Sequence, residues 1–330
     1  MSIFKELSDS LKQYLKEGKD PFPDIIGNKK AKEDVISCLL SGRHFLIIGP
    51  PGIGKTTLAK SIAKILPPIE TDIEPYWLEG TPFPTKKTKK KKIEGIKRFV
   101  RIQGSPDLNP EDIVGTIDPT KALKYGISIE SFVPGKIFRA NRGVLFFDEI
   151  NRAPPKIQNL LLQALEEGYV SLGPFDIDVP TDFIFIATMN PKEYEGTTEL
   201  SEALMDRLDI IYLDYPETLE IEKQIVLEKG KKLVLFPDEL LEKMLSFIRE
   251  LRNDENLEIK PSPRASIGIY ERAQAYALIR NSKKVEWQDI ERAFLSVLPS
   301  RIKLKPHVAI KMDEQQYIKQ LLDKDTKKKL

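Results

Sequence analysis

The run Gly49-Pro50-Pro51-Gly52-Ile53-Gly54-Lys55-Thr56 constrains the fold more than any other feature of the chain. It fits G-x-x-x-x-G-K-[ST], a phosphate-binding loop that works only between a strand and a helix N-terminus. Phe45-Leu46-Ile47-Ile48 before it is a short apolar run suited to a buried strand. After it, Leu58, Ile62, Ile65 and Leu66 fall at helical spacing, and Pro67-Pro68 ends the run. Free N–H groups and the helix dipole favour a bound phosphate at such a junction. Glycines let the backbone wrap phosphate oxygens without a Cβ clash. The nucleotide-binding set read from this stretch runs Gly49, Pro50, Pro51, Gly52, Ile53, Gly54, Lys55, Thr56 and Thr57. Lys55 is placed to reach the β- and γ-phosphates, and Thr56 to ligate Mg²⁺.

The length of 330 residues fits about two domains. Hydrophobic content of 41% and charged content of 31% allow a real core and exclude a disordered chain. A single cysteine, Cys38, excludes a disulfide framework and a cysteine-rich metal site. The two histidines, His44 and His307, lie far apart in sequence and read as packing or surface residues rather than ligands. No apolar stretch approaches the roughly 18 residues that span a bilayer. Residues 1–19 alternate charged and apolar side chains without a signal-peptide core, so the expectation is a cytoplasmic protein. Net charge is +2, which argues against a strongly nucleic-acid-binding surface. The balance is uneven, because Lys86-Lys87-Thr88-Lys89-Lys90-Lys91-Lys92 holds six lysines and the rest is mildly acidic.

Strands alternate with helices up to Tyr215-Pro216, which implies a mostly parallel sheet covered on both faces. Strands are expected at Phe99–Gln103, Val144–Phe147, Phe183–Thr188 and Ile210–Leu213. Helices are expected at Phe4–Leu15, Asn28–Leu40 and Ile157–Leu165, and a small hairpin at Val170–Val179. Residues 67–98 read as irregular up to the strand at Phe99, with the lysine run a solvated, mobile loop. Residues 217–300 read as helices without a convincing strand, punctuated by Gly230, Pro237, Pro261 and Pro263. Met312–Leu330 reads as a charged helix with a lysine-rich tail.

Val144-Leu145-Phe146-Phe147-Asp148-Glu149 places two acids at the carboxyl end of a buried strand, where open α/β sheets bind ligands. Asp148 suits Mg²⁺ through its water shell, and Glu149 suits orienting or deprotonating a water. Thr188-Met189-Asn190 ends another apolar strand. Asn190 there is equally a γ-phosphate contact or a turn residue before Pro191. Arg207 precedes a short strand, and Arg264 opens a helix behind Ser262-Pro263. Arginine suits phosphoryl oxygens in both places, although local sequence favours ordinary surface ion pairs.

Taken in order, these motifs resemble an AAA+ ATPase: Walker A, Walker B, sensor 1, arginine finger and sensor 2. Within that superfamily the chain resembles the MoxR and magnesium-chelatase ATPase-subunit group. Arg101-Ile102-Gln103, Pro106-Asp107-Leu108 and Asp112-Ile113 look like MoxR, as do Phe132–Phe138 and Asp148–Pro155. Ile117-Asp118-Pro119, Ala122-Leu123 and Tyr125-Gly126 look more like the chelatase subunit. The resemblance implies an α/β AAA+ core with a five-stranded, mostly parallel sheet and an all-α lid. It implies an N-terminal helix and linker at 1–23, a core at 24–215, a lid at 216–305 and a charged tail at 306–330. A helix-2 insert falls at about 116–136 and a pre-sensor-1 hairpin at about 169–180. Carried over by motif, Glu149 is the catalytic carboxylate, Asn190 sensor 1, Arg207 the finger acting in trans and Arg264 sensor 2. Ile25, Ile26 and Gly27 match the segment that packs on adenine. Two departures stand out: Leu208 where the finger motif has Phe, and the lysine tongue.

The implied activity is hydrolysis of ATP with Mg²⁺ by a homo-oligomeric ring, usually a hexamer. Such a ring remodels a protein client as a chaperone, and its usual partner carries a von Willebrand factor A domain. A metal-chelatase motor subunit is a narrower reading. A nucleic-acid motor or loader is the runner-up, since helicases share both inserts and lysines contact phosphates. The tongue lacks an aromatic for base stacking. A small-molecule kinase leaves Arg207, Arg264 and the second domain without a role.

Overall fold

The computed structural model describes residues 2–190 and 200–327. The chain divides into two compact units, one of Met1–Ile25, Lys29–Gly49 and Gly54–Leu213, the other of Ile26–Asn28, Pro50–Ile53 and Asp214–Leu330.

The first unit begins with α1 (Ile3–Lys16), which buries Ile3, Leu7 and Leu11 along one stripe. Its Glu6 accepts from Arg98, a guanidinium with no solvent exposure that also donates to Pro67 O. Next come α2 (Lys29–Leu40), β1 (Phe45–Ile48) and α3 (Lys55–Ile65). A hairpin of β2 (Ile69–Glu74) and β3 (Lys86–Ile93) precedes β4 (Phe99–Gln103). The segment read as the helix-2 insert holds β5 (Gly115–Ile117), α5 (Pro119–Tyr125) and β6 (Phe132–Pro134), following α4 (Pro110–Val114). Then follow α6 (Lys136–Arg139), β7 (Gly143–Asp148) and α7 (Pro155–Glu166). β8 (Tyr169–Leu172) pairs antiparallel with β9 (Ile177–Pro180). β10 (Phe183–Met189), α8 (Glu202–Asp206) and β11 (Asp209–Tyr212) complete the unit.

Five strands form one sheet in the order β11-β1-β10-β7-β4, every neighbour parallel. Register aligns the carboxyl ends: Ile48 sits opposite Met189, Ala187 opposite Phe147, and Gln103 opposite Asp148. Gly49, Asp148, Gln103 and Asn190 therefore emerge along one edge, the side where such sheets place ligands. β7 is buried throughout, and Leu145, Phe147, Phe185 and Leu161 share one apolar cluster that keeps those strand ends fixed.

The irregular segment expected at 67–98 is a correction. Ile69, Thr71 and Ile73 alternate against Glu70, Asp72 and Glu74, and the lysine run pairs with them as a strand. Glu70 lies opposite Lys92 and Glu74 opposite Lys86, while Lys91 Nζ donates to Glu74 at 2.6 Å. Ile69 and Thr71, buried on β2, seat the hairpin despite the poor strand propensity of lysine, and the exposed cross-strand charges add little.

The second unit carries α9 (Leu219–Lys229), α10 (Asp238–Arg252), α11 (Pro263–Ile279), α12 (Trp287–Val297), α13 (Pro306–Ala309) and α14 (Glu314–Lys327). Leu245, Ile248, Ile269, Phe294 and Ile318 are fully buried in its core. A short antiparallel pair, β12 (Leu257–Ile259) with β13 (Lys303–Leu304), is unforeseen, since runs of two and three residues carry no periodic signal. The end of the lysine-rich tail, 328–330, lies outside the described residues. Among the described residues no helix is long and apolar enough to cross a membrane.

Candidate active site

The phosphate loop leaves β1 at Gly49 and enters α3 at Lys55. Gly52 (φ +79°) and Gly54 (φ +105°) adopt left-handed backbone that a side chain would strain. A Cβ at Gly52 would also stand 2.7 Å from Ser262 Oγ and 3.3 Å from Arg264 Cβ. Thr56 and Thr57 follow in the first turn of α3. Ile25 is buried, and its Cδ1 lies 3.5 Å from where a Gly54 Cβ would be, so it lines the loop. Ile26 and Gly27 belong with the second unit.

Lys55 is buried and donates to Gly49 O and, at 2.8 Å, to Asn190 Oδ1. Asn190 Nδ2 in turn donates to Glu149 Oε1 at 3.1 Å. One side chain thus ties the loop lysine to the second acid of β7. Pro191, the basis for the turn reading of Asn190, lies outside the described residues.

The two acids differ. Asp148 is buried; its Oδ1 accepts from Thr188 Oγ1 at 2.6 Å and its Oδ2 from Arg101 at 2.5 Å. Glu149 takes a left-handed backbone, φ 54° and ψ 52°. For a non-glycine residue that is strain, which persists only where the surroundings hold it. Its N–H donates to Thr188 Oγ1 at 2.9 Å. Its Oε2 accepts from Arg152 at 3.0 Å and from Gln103 at 3.3 Å. The carboxylate is therefore aimed at the strand-end crevice and held only by single hydrogen bonds. Such an acid can exchange partners and receive a proton from water.

Arg207 is not part of this cluster. It follows α8 and donates to Glu166 at 2.8 Å and Asp206 at 2.6 Å. The hydrogen bond to Glu166 raises its already high pKa. Leu208 is buried in the core, so an apolar aliphatic fills the place where Phe was expected. Arg264, second residue of α11, is exposed, with its Cβ against the Gly52 turn.

Sequence reasoning missed three participants. Thr188 buttresses both acids, and Arg101 and Gln103 reach them from β4. The available signal was spacing: Arg101 and Gln103 alternate around buried Ile102, on a strand in register with β7.

Comparison with known proteins meets this geometry. The model of the ATPase family associated with various cellular activities (AAA) matches residues 77–210, the AAA lid domain 249–320, and the magnesium chelatase subunit ChlI model 21–95. Uncharacterized protein YeaC of Bacillus subtilis is 32% identical over 306 residues, covering 86% of this chain and 84% of its own. Chaperone MoxR1 of Mycobacterium tuberculosis is 31% identical, covering 85% of this chain and 73% of its own. Among solved structures, a complex of the magnesium-chelatase subunits BchI and BchD is similar in fold, with a TM-score of 0.50 and 20% identity, covering 87% of this chain and 97% of that one. The phosphate loop, the paired acids at the end of β7 and these relatives together make the chain a member of the MoxR and magnesium-chelatase group of AAA+ ATPases.

Proposed function

We propose that the chain hydrolyses ATP as one subunit of a hexameric ring that remodels a protein client as a chaperone in the cytoplasm. The Lys55–Asn190–Glu149 chain carries the catalytic part of this reading. Lys55 releases Asn190 to hold the β- and γ-phosphates, Asn190 turns to the γ-phosphate, and Glu149 is left to orient and deprotonate the attacking water. The residues fit Mg²⁺ with nucleotide: a glycine cradle that a Cβ would obstruct, Thr56 in the first turn of α3, and a buried Asp148. Among the described residues no group of three or more His, Cys, Asp or Glu gathers to hold a metal alone. Thr56 and Asp148 would therefore share the ion with phosphate oxygens, and the ion would supply charge neutralisation there. Ile25, Ile26 and Gly27 serve the adenine, and Arg264 serves the phosphates from α11. The nucleotide core spans 24–215 and the lid 216–305.

Arg207 supports the ring, because in its own subunit it pairs with Glu166 and Asp206 rather than with the phosphate loop. An arginine delivered to a transferring phosphoryl group is worth ~10³ or more in rate. The helix-2 insert exposes Leu123 (91%), Tyr125 and Ile127, which favours a protein surface as its target. The family resemblance adds a partner with a von Willebrand factor A domain. Complex formation between chelatase subunits BchI and BchD is in keeping with a second subunit of that kind.

Mixing tests the shared site. Lys55→Ala lacks a pocket and keeps the finger; Arg207→Ala keeps the pocket and lacks the finger. Each alone should be nearly inactive, and a mixture should recover ATPase. No recovery, with mixed rings demonstrated by cross-linking, removes Arg207 from the role and leaves Arg264 or Arg152 as candidates. One observation favours a second reading, a nucleic-acid motor: the six lysines of β3 stand on an ordered strand. DNA-stimulated rather than partner-stimulated ATPase would decide for it.

A further inference from the structure

Asp148 already has a cation. Arg101 Nη2 donates to its Oδ2 at 2.5 Å, while Thr188 takes the other oxygen. The same Arg101 nitrogen donates to Gln103 Oε1 at 2.8 Å, and Gln103 Nε2 donates to Glu149 Oε2 at 3.3 Å. One guanidinium is therefore bonded to the first acid and, through one amide, to the second. The Arg101 side chain is 50% exposed against 13% for Asp148. It reaches in from β4, the edge strand of the sheet, and has solvent to swing into.

We propose that Arg101 is a positioning residue that stands in for the metal. It neutralises Asp148 in the nucleotide-free protein and leaves when Mg²⁺–nucleotide binds. The inference deepens the nucleotide-site reading and rests on it. A guanidinium and a divalent cation repel each other, so the two would compete for the negative charge of one carboxylate.

A Mg²⁺ titration of the full-length protein with a fluorescent ATP analogue reads the competition without turnover. Arg101→Gln should lower the Mg²⁺ concentration at the binding midpoint by about three- to tenfold, the range for one ion pair to a largely buried acid. Arg101→Lys keeps the charge without the fork and should fall between the two. An unchanged midpoint in both variants makes the pair incidental and overturns the proposal. A raised midpoint overturns it too, because Arg101 would then help to hold the bound nucleotide. Lys55→Ala in the same assay separates the two levels. Loss of analogue binding upholds the site, whereas retained binding removes the site itself, whatever Arg101 does.

Discussion

Two carboxylate clusters in this molecule use the same chemistry for opposite ends. In the second unit, Glu222 on α9 has no solvent exposure and accepts from both terminal nitrogens of Arg252, at 2.6 and 2.5 Å, and from Ser266 Oγ at 2.6 Å. Arg252 Nε donates to Pro261 O, just before the start of α11. Near the phosphate loop, Asp148 accepts from the buried Thr188 hydroxyl, but the arginines on Asp148 and Glu149 each make a single bond from a half-exposed side chain. The Glu222 cluster is closed: a two-pronged fork on a carboxylate with no solvent exposure. The core cluster is open, with each bond replaceable. Burial and the number of bonds per partner, rather than residue type, separate a structural ion pair from a site that works.

The largest expected effect lies on the open side. Glu149→Gln should keep nucleotide binding and lose about 10²–10⁴ in hydrolysis rate, the usual worth of a general base. Lys55→Ala should lose tight ATP binding altogether. Hydrolysis by Glu149→Gln at the wild-type rate would place the catalytic carboxylate elsewhere and dissolve the contrast.

Next comes the closed side. Arg252→Ala removes both forked bonds to the buried Glu222, leaves it Ser266 Oγ and Arg249 at 3.7 Å, and should destabilise the second unit by about 3 kcal/mol in denaturant titration. Arg101→Gln, at the half-exposed pair, should cost at most about 1 kcal/mol. Similar losses for the two variants would mean that the clusters do not differ in kind.

A third buried group tests whether burial alone sets such energies. His44 is packed against Phe4 and Phe185, and its Nδ1 accepts from the Phe185 N–H at 3.1 Å. Burial lowers its pKa from 6.5 to about 4. The folded state then binds fewer protons than the unfolded state between those values. Stability from a neutral His44 is complete above pH 6.5 and is lost as pH falls towards 4, by up to about 3 kcal/mol. The difference in unfolding free energy between wild type and His44→Gln, followed from pH 7 to 4, should carry that slope. A flat difference would show that His44 protonates without penalty.

Legibility in the sequence followed the same division. The phosphate loop, the acids of β7 and the strands of the central sheet were readable, because each pairs a periodic apolar run with a fixed motif. Arg101, Gln103 and Thr188 were not assigned roles, because their function depends on lateral register between strands far apart in the chain. Glu222 and Arg252 carry no motif that marks them in the sequence. Thirty residues separate them, and only tertiary packing buries both. The lysine strand failed for a related reason, since its partner β2 alone carries the alternation.

The smallest expected effect belongs to that strand. Four of its six lysines, Lys86, Lys87, Lys89 and Lys90, make no ion pair within 4 Å among the described residues; Lys91 meets Glu74, and Lys92 meets Glu94 at 3.6 Å. All six are exposed, so each bridge is worth about 1 kcal/mol or less. The hairpin is anchored instead by Ile69 and Thr71, which stay buried on the partner strand. Replacing the six lysines with alanine should therefore leave the hairpin folded and basal ATPase unchanged. Charges in water, each with a weak partner or none, neither hold the fold nor tune the acids of β7. A large fall in basal rate, with unchanged circular dichroism, would bring the strand into the catalytic site. Loss confined to a DNA-stimulated rate would leave the core chemistry as described and favour the nucleic-acid motor reading. In that case β3 would be the surface on which the exposed charges do for phosphate what the open cluster does for nucleotide.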